Sequence, residues 1–208
     1  MTLRGAGWGL MAFLALGVAL YAAIAYSLLP VGAAVHPDMR TAFQAHPVGI
    51  GVHVFASIFA LALGPFQFSA RLRARHLNLH RWMGRLYLGL GVLVGGLAGL
   101  YMAQFAYGGL AGKLGFGTLA VLWLVTGERA FHFAHHGDVA AHRRWMVRNF
   151  SLAFAAVTLR LYLPAAVVSG ADFAIAYGVI AWACWVPNLA FAEWLLRASP
   201  PPASPRAR

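Results

Sequence analysis

Apolar residues run along this chain in long blocks, not in the alternating or one-faced patterns of a soluble fold. The blocks cover roughly 7–29, 48–69, 83–107, 114–132, 146–168 and 173–197. Each is near the ~20 residues that a helix needs to cross a ~30 Å hydrocarbon core. Helix is the only open-ended backbone form that satisfies its own hydrogen bonds in lipid, so each block is expected to be a helix. The pattern predicts an all-α fold, a six-span transmembrane helical bundle forming a single domain over 1–197. Gly7 to Leu29 exceeds the short apolar core of a cleavable signal peptide and is read as a retained first span.

The polar stretches set the connections. Pro30 to Pro47 is the longest loop and the expected place for a partner contact or a short surface helix. Gly108–Lys113 and Ser169–Asp172 are tight, which makes their flanking spans antiparallel neighbours. The final segment, 198–208, is rich in Pro, Ser and Arg and is expected to be a disordered cytoplasmic tail. No internal repeat suggests an inverted-repeat transporter.

Composition agrees with the pattern and then adds orientation. With 61% hydrophobic and 10% charged residues and a mean hydropathy of +0.70, the chain carries far more apolar surface than one soluble core can hide. The net charge of +11 would suggest nucleic acid in a soluble protein. Here the cations flank apolar blocks, which fits anionic lipid headgroups and excludes a nucleic-acid role. Arg4, Arg71, Arg73, Arg75, Arg81, Arg85, Arg129, Arg143, Arg144, Arg148, Arg197, Arg206 and Arg208 fall on one side, against Arg40 and Lys113 on the other. By the positive-inside rule this predicts a bacterial inner-membrane protein with both termini cytoplasmic. Cys184 is the single cysteine and lies in an apolar block, so neither a disulfide framework nor a cysteine metal site is available.

The histidines give the chemistry. His76, His80, His132, His135, His136 and His142 sit at the arginine-rich boundary. The pairs His76/His80 and His132/His136 have i,i+4 spacing, which places both rings on one helix face where they can hold zinc, copper or iron. For His132, His135 and His136 the favoured reading is contact with headgroups and carbonyls. Leu77–Tyr87 reads as the start of the third helix and Asp138 as the N-cap of the fifth. His80 and His142 are thus each about one turn inside a helix, at the same boundary. Two imidazoles at equal depth are what a bis-histidine b-type haem requires. Arg81, Arg85 and Arg144, with Arg143, are placed to neutralise its propionates. The same residues serve equally as anchors for helix ends.

The other half of the bundle has its own polar pair. Pro47 suits the start of the second helix, which puts His53 about 9 Å below that surface. Arg160 lies about 18 Å along its helix from Arg148, well inside the bilayer, where a cation needs a partner. The chain has five acids, and none is expected at that depth. The options for Arg160 are Asp172 reached by snorkelling, helix carbonyls, or an anionic or carbonyl-bearing ligand. His53 and Arg160 are therefore candidate ligand-binding residues for a quinone, a propionate or a lipid head. Gly64-Pro65-Phe66-Gln67-Phe68 suggests a kink beside a buried amide. Gly91, Gly95, Gly96 and Gly99 permit close helix approach or room for a flat cofactor. No phosphate loop, serine-nucleophile motif or paired carboxylates occur, and no enzymatic reaction is assigned.

Two resemblances follow from these residues. His76-x3-His80-Arg81-x2-Gly84-Arg85-x-Tyr87, preceded by Gly64-Pro65-x-Gln67-Phe68, resembles a bacterial family of predicted membrane proteins of unknown function. His142-x2-Trp145-Met146-x-Arg148, followed by Ala155-Ala156-Val157-x-Leu159-Arg160, resembles it too, and His53 matches a histidine of the same pattern. The similarity covers roughly 48–168. In architecture the chain also resembles the cytochrome b561 group. That resemblance implies a central four-helix core of spans two to five, with spans three and five sharing one haem, where His80 and His142 fall. It implies a second haem between spans two and four. Here the fourth span lacks its histidine, so one haem is expected.

The leading expectation is a membrane redox protein with b-type haem on His80 and His142 and a quinol-type site at His53 and Arg160. The alternatives are a transporter or ligand-binding protein using the His53/Arg160 pair, and a structural or assembly subunit of a larger membrane complex.

Overall fold

The computed structural model describes residues 3–198. The expected tail over 198–208 lies, apart from Ala198, outside the described residues. Six helical segments are long and apolar enough to cross a membrane: Gly5–Leu28, Pro47–Gln67, Leu77–Ala103, Gly109–His135, Val139–Val168 and Phe173–Ala198. No strand occurs among the described residues. The first span is α1 (Leu3–Leu28). A short surface helix, α2 (Arg40–Ala45), lies in the long loop, and the second span, α3 (Pro47–Gln67), opens on its proline. A one-and-a-half-turn helix, α4 (Ala70–Arg75), is capped by Ser69 and leads to the third span.

The third span has three parts. α5 (Leu77–Leu86) passes into a π-helical stretch over Tyr87–Val94 and then into α6 (Gly95–Ala103). The fourth span is α7 (Gly109–His135). The fifth divides into α8 (Val139–Ala153) and α9 (Ala155–Val168). The sixth divides into α10 (Phe173–Ala183) and α11 (Val186–Ala198). Several helices start earlier than hydropathy alone suggests, because His80, Arg81, His142 and Arg143 lower the apolar score while the backbone is already helical.

Spans two to five form a closed ring. α3 packs on the third span, the third span on α7, α7 on α8, and α8 back on α3. α1 lies outside this ring against α3, and the sixth span lies outside it against α7, α8 and α9. Glycine sets the closest approach. A Cβ at Gly91 would stand 2.8 Å from the Ala60 backbone nitrogen, and one at Gly95 2.9 Å from Ser57 Oγ. The glycine row of the third span is therefore used for backbone contact with the second.

A polar network fills the middle of the ring. Tyr87 and Asn149 are fully buried. The Tyr87 hydroxyl donates to Asn149 Oδ1 at 2.7 Å. The Asn149 amide donates to the Trp123 carbonyl at 2.8 Å and to Thr126 Oγ1 at 2.9 Å. Thr126 in turn donates to the Leu122 carbonyl at 2.8 Å. Three spans are pinned at one level by groups that lipid could not satisfy.

The breaks in spans five and six are stitched together. Asn188 Nδ2 lies 3.0 Å from Thr158 Oγ1, 2.9 Å from the Cys184 carbonyl and 3.4 Å from the Ser151 carbonyl. These acceptors flank the two interruptions, so one amide serves both. Beyond its break α9 leaves α7, and α10 packs between them.

Two outcomes test this framework. Asn149→Ala removes both donor bonds and strands the Tyr87 hydroxyl, so it should lower stability by about 1–3 kcal/mol in a mixed-micelle unfolding assay. Asn188→Ala should accelerate amide exchange in the turns at 151–158 and 182–188 while leaving α3 and α7 protected, with a loss of about 1–2 kcal/mol.

Candidate functional site

At the arginine-rich end, two short N-terminal turns place the histidines. The Asp138 carboxylate caps α8 by accepting from the Ala141 backbone N–H at 2.9 Å. His142 is therefore the fourth residue of α8, as His80 is of α5. His142 Nδ1 lies 2.8 Å from the Ala130 carbonyl of α7. A carbonyl only accepts, so Nδ1 carries the proton and Nε2 presents its lone pair. This is the arrangement that orients an imidazole for a metal. His80 Nδ1 is buried with no hydrogen-bond partner. His142, Arg73 and Arg81 are its electrostatic neighbours.

Gln67 completes this corner. A Cβ on Gly84, one turn beyond His80, would stand 3.3 Å from Gln67 Oε1. Gln67 Nε2, like His80 Nδ1, is buried and unpartnered. The Gln67 backbone carbonyl accepts from Arg73 Nη1 at 3.0 Å. Partial burial, followed by the like charge of Arg143, draws the Arg73 guanidinium below the ordinary arginine value. Cations thus crowd the corner.

The other expected propionate partners are dispersed. Arg81 stays near His80. Arg85 lies over the ring of the exposed Trp82, 5.0 Å from its centroid. Arg144 acts instead on Glu193, whose carboxylate makes a bidentate pair with Arg148, with Nη2 to Oε2 at 3.0 Å. Arg73, which no motif singled out, takes the place nearer the histidines. The remaining boundary histidines have local roles. His136 Nδ1 approaches the His132 carbonyl at 2.8 Å, and their rings lie 4.2 Å apart. No group of three or more His, Cys, Asp or Glu converges among the described residues.

At the arginine-poor end, His53 Nδ1 lies 2.8 Å from the Gly95 carbonyl, so its Nε2 also presents a lone pair. Gly99 makes room for the ring, since a Cβ there would stand 2.8 Å from His53 Cε1. Arg160 is half-buried. Its Nη1 donates to the Ala156 carbonyl of its own helix at 2.9 Å, and its guanidinium lies 5.7 Å from the centroid of the Tyr21 ring. Asp172, the expected carboxylate option, instead caps α10 by accepting from the Ile175 backbone N–H at 3.0 Å. The other acids are also committed elsewhere, Asp38 to Tyr107, Glu128 to Arg129, Asp138 to α8 and Glu193 to Arg148. The groups around Arg160 are Tyr26, Tyr21 and Tyr177. Hydropathy conceals them, because a tyrosine inside an apolar block scores as part of the block.

The loop over this end is clamped by aromatic contacts. His36 stacks on Phe173 at 3.7 Å and His46 on Phe105 at 3.7 Å. Tyr107 donates to Asp38 Oδ2 at 3.0 Å, and that bond holds the phenol above the usual tyrosine range.

No curated protein and no solved structure matches the chain. A family model described as "Predicted membrane protein (DUF2306)" matches residues 50–196. That stretch holds five of the six spans and carries His53, Gln67, His80, His142, Asn149 and Arg160. The chain belongs to the DUF2306 family of predicted membrane proteins.

Proposed function

We propose that this integral membrane protein is a redox protein that binds b-type haem at its arginine-rich end, where His80 and His142 would hold its iron. The observation that carries the reading is the state of the two imidazoles. His142 is locked through Nδ1 onto Ala130 with Nε2 free, and His80 has a buried, unpartnered ring nitrogen. The donor set fits the group: two neutral imidazoles for iron, with Arg73, Arg81 and Arg143 as cations for propionates. Haem would supply one-electron chemistry. The chain's own residues orient the ligands, balance charge and exclude water. Arg85 and Arg144 contribute only to the general positive field.

A second reading rests on Arg160, whose only hydrogen bond among the described residues is to a carbonyl of its own helix. Arg160 and His53 then form a ligand-binding site in the other half of the bundle, for a quinol-type donor or for a molecule bound without redox chemistry. For orientation, we place the arginine-rich end in the cytoplasm of a bacterial inner membrane, with both termini on that side.

Purified protein should show a Soret band that is lost or strongly shifted in His80→Ala and His142→Ala, with Arg73→Gln changing the midpoint potential and keeping the band. Absence of a Soret band in protein expressed with ample haem overturns the assignment. A reporter active only in the cytoplasm should be active when fused after Ala198 and silent when inserted near Gly108. The reverse result would invert the topology.

A further inference from the structure

Arg160 sits about two turns before the end of α9 at Val168, roughly 12 Å along the helix axis. Tyr21 lies about two turns before the end of α1 and Tyr26 in its last turn. Tyr177 lies about one turn into α10. The Tyr21 ring centroid lies 5.7 Å from the Arg160 guanidinium, and Tyr26, Tyr177 and His53 of span two are within its electrostatic reach. The break at Phe154 is what brings Arg160 there. α8 belongs to the central ring, whereas α9 departs from α7 and lies between α1 and α10.

The chemistry of this layer is one-sided. It offers a permanent cation with five N–H donors, of which one contact to Ala156 is made, together with phenolic hydroxyls and no carboxylate. Such a layer stabilises oxygen acceptors and repels cations. A guanidinium left in lipid with one carbonyl and a ring face is under-satisfied, so an oxygen-bearing partner gains more here than at a hydrated surface.

The direction of access identifies the partner further. α1 packs closely along α3 but meets α9 only lightly. Tyr21, at that seam, is 48% exposed on the surface that faces lipid. The cavity beside Tyr26, under the loop from Leu29 to Val35, is about 20 Å³, room for one water. The exposed Tyr21 seam offers a sideways path from the bilayer to Arg160.

We infer that Arg160, with Tyr21, Tyr26 and Tyr177, binds the acceptor oxygen of a membrane-dissolved amphiphile that enters between spans one and five. Its headgroup is a carboxylate or a quinone carbonyl, and its chain stays in lipid. This deepens the reading of Arg160 and His53 as a ligand site and is independent of the haem at the other end.

The test uses the full protein in phosphatidylcholine nanodiscs, with saturable binding measured over protein-free nanodiscs for three probes. Oleate carries the carboxylate, a decyl-substituted benzoquinone the neutral carbonyl, and oleylamine a cation of matching length. Oleate, the quinone or both should bind, oleylamine should not, and Arg160→Gln should weaken binding about tenfold or more. Tyr26→Phe and Tyr177→Phe, which keep packing volume, should each weaken it by about threefold and serve if Arg160→Gln does not fold. Oleate alone identifies an acidic lipid as the source of the oxygen, and the quinone alone a redox carrier. Arg160-dependent binding of oleylamine would leave the site standing but overturn the acceptor-oxygen class. Saturable binding of none of the three, or binding unchanged in all these variants, would overturn the site itself, whatever the Soret band shows.

Discussion

The Asn188 amide is the contact on which the arrangement of the arginine-poor half depends. Interrupting a helix inside lipid frees carbonyls that water cannot reach, so the interruption must bring its own donors. Spans five and six are interrupted at the same level, and Asn188 reaches acceptors on both sides of the break in span five and the Cys184 carbonyl at the break in span six. With the breaks secured, α9 can leave the four-helix ring and α10 can fill the gap. Arg160 is thereby carried out of the ring to meet tyrosines of spans one and six. A continuous fifth helix would have kept Arg160 on the course of α8, beside α7 and away from α1.

Charge is distributed on the same principle of local supply. The five acids are spent on helix caps, the α8–α11 ion pair, a surface pair and a loop tyrosine. None remains for Arg160 or for the cations around His80. A cap is favoured because its acceptor and donor are three residues apart and the ordering entropy is already lost, whereas a long side chain must be held to reach a distant carboxylate. Asp172 illustrates this. Its place before Phe173 commits it to α10 and leaves Arg160 to its own helix carbonyl.

The sequence made some of this legible and concealed the rest for identifiable reasons. Lipid imposes length and apolarity on every span, so the six-helix bundle could be read from hydropathy. Asp138 and Pro47 mark helix starts because capping and proline geometry are local, and they put His142 and His53 on the right turns. The split in span six carries a local sign in Pro187, which suits the opening of a helix. The split at Phe154 carries none, being flanked by alanines and created by tertiary packing. The π-helical stretch at Tyr87–Val94 is equally silent in sequence. Tyr21, Tyr26 and Tyr177 were hidden inside apolar blocks, and Arg73 is one arginine among several in a basic run. What placed these residues in sites is long-range packing, which periodicity does not encode.

The middle of the bundle bears on the choice between the functional readings. A solute carrier needs a site near the midplane that opens alternately to each side. Here the midplane is closed by backbone contact between Gly91 and Ala60 and by the buried Tyr87–Asn149–Thr126 network, whose donors are matched to acceptors across three spans. Opening it would strand several polar groups in a low-dielectric core at about 1–3 kcal/mol each. The two polar layers lie on opposite sides of this plug and share span two, with Gln67 at one end and His53 toward the other. A packed plug blocks solutes and water but not electrons. That asymmetry is the physical reason to prefer a redox protein with a lipid-accessible ligand site over a transporter.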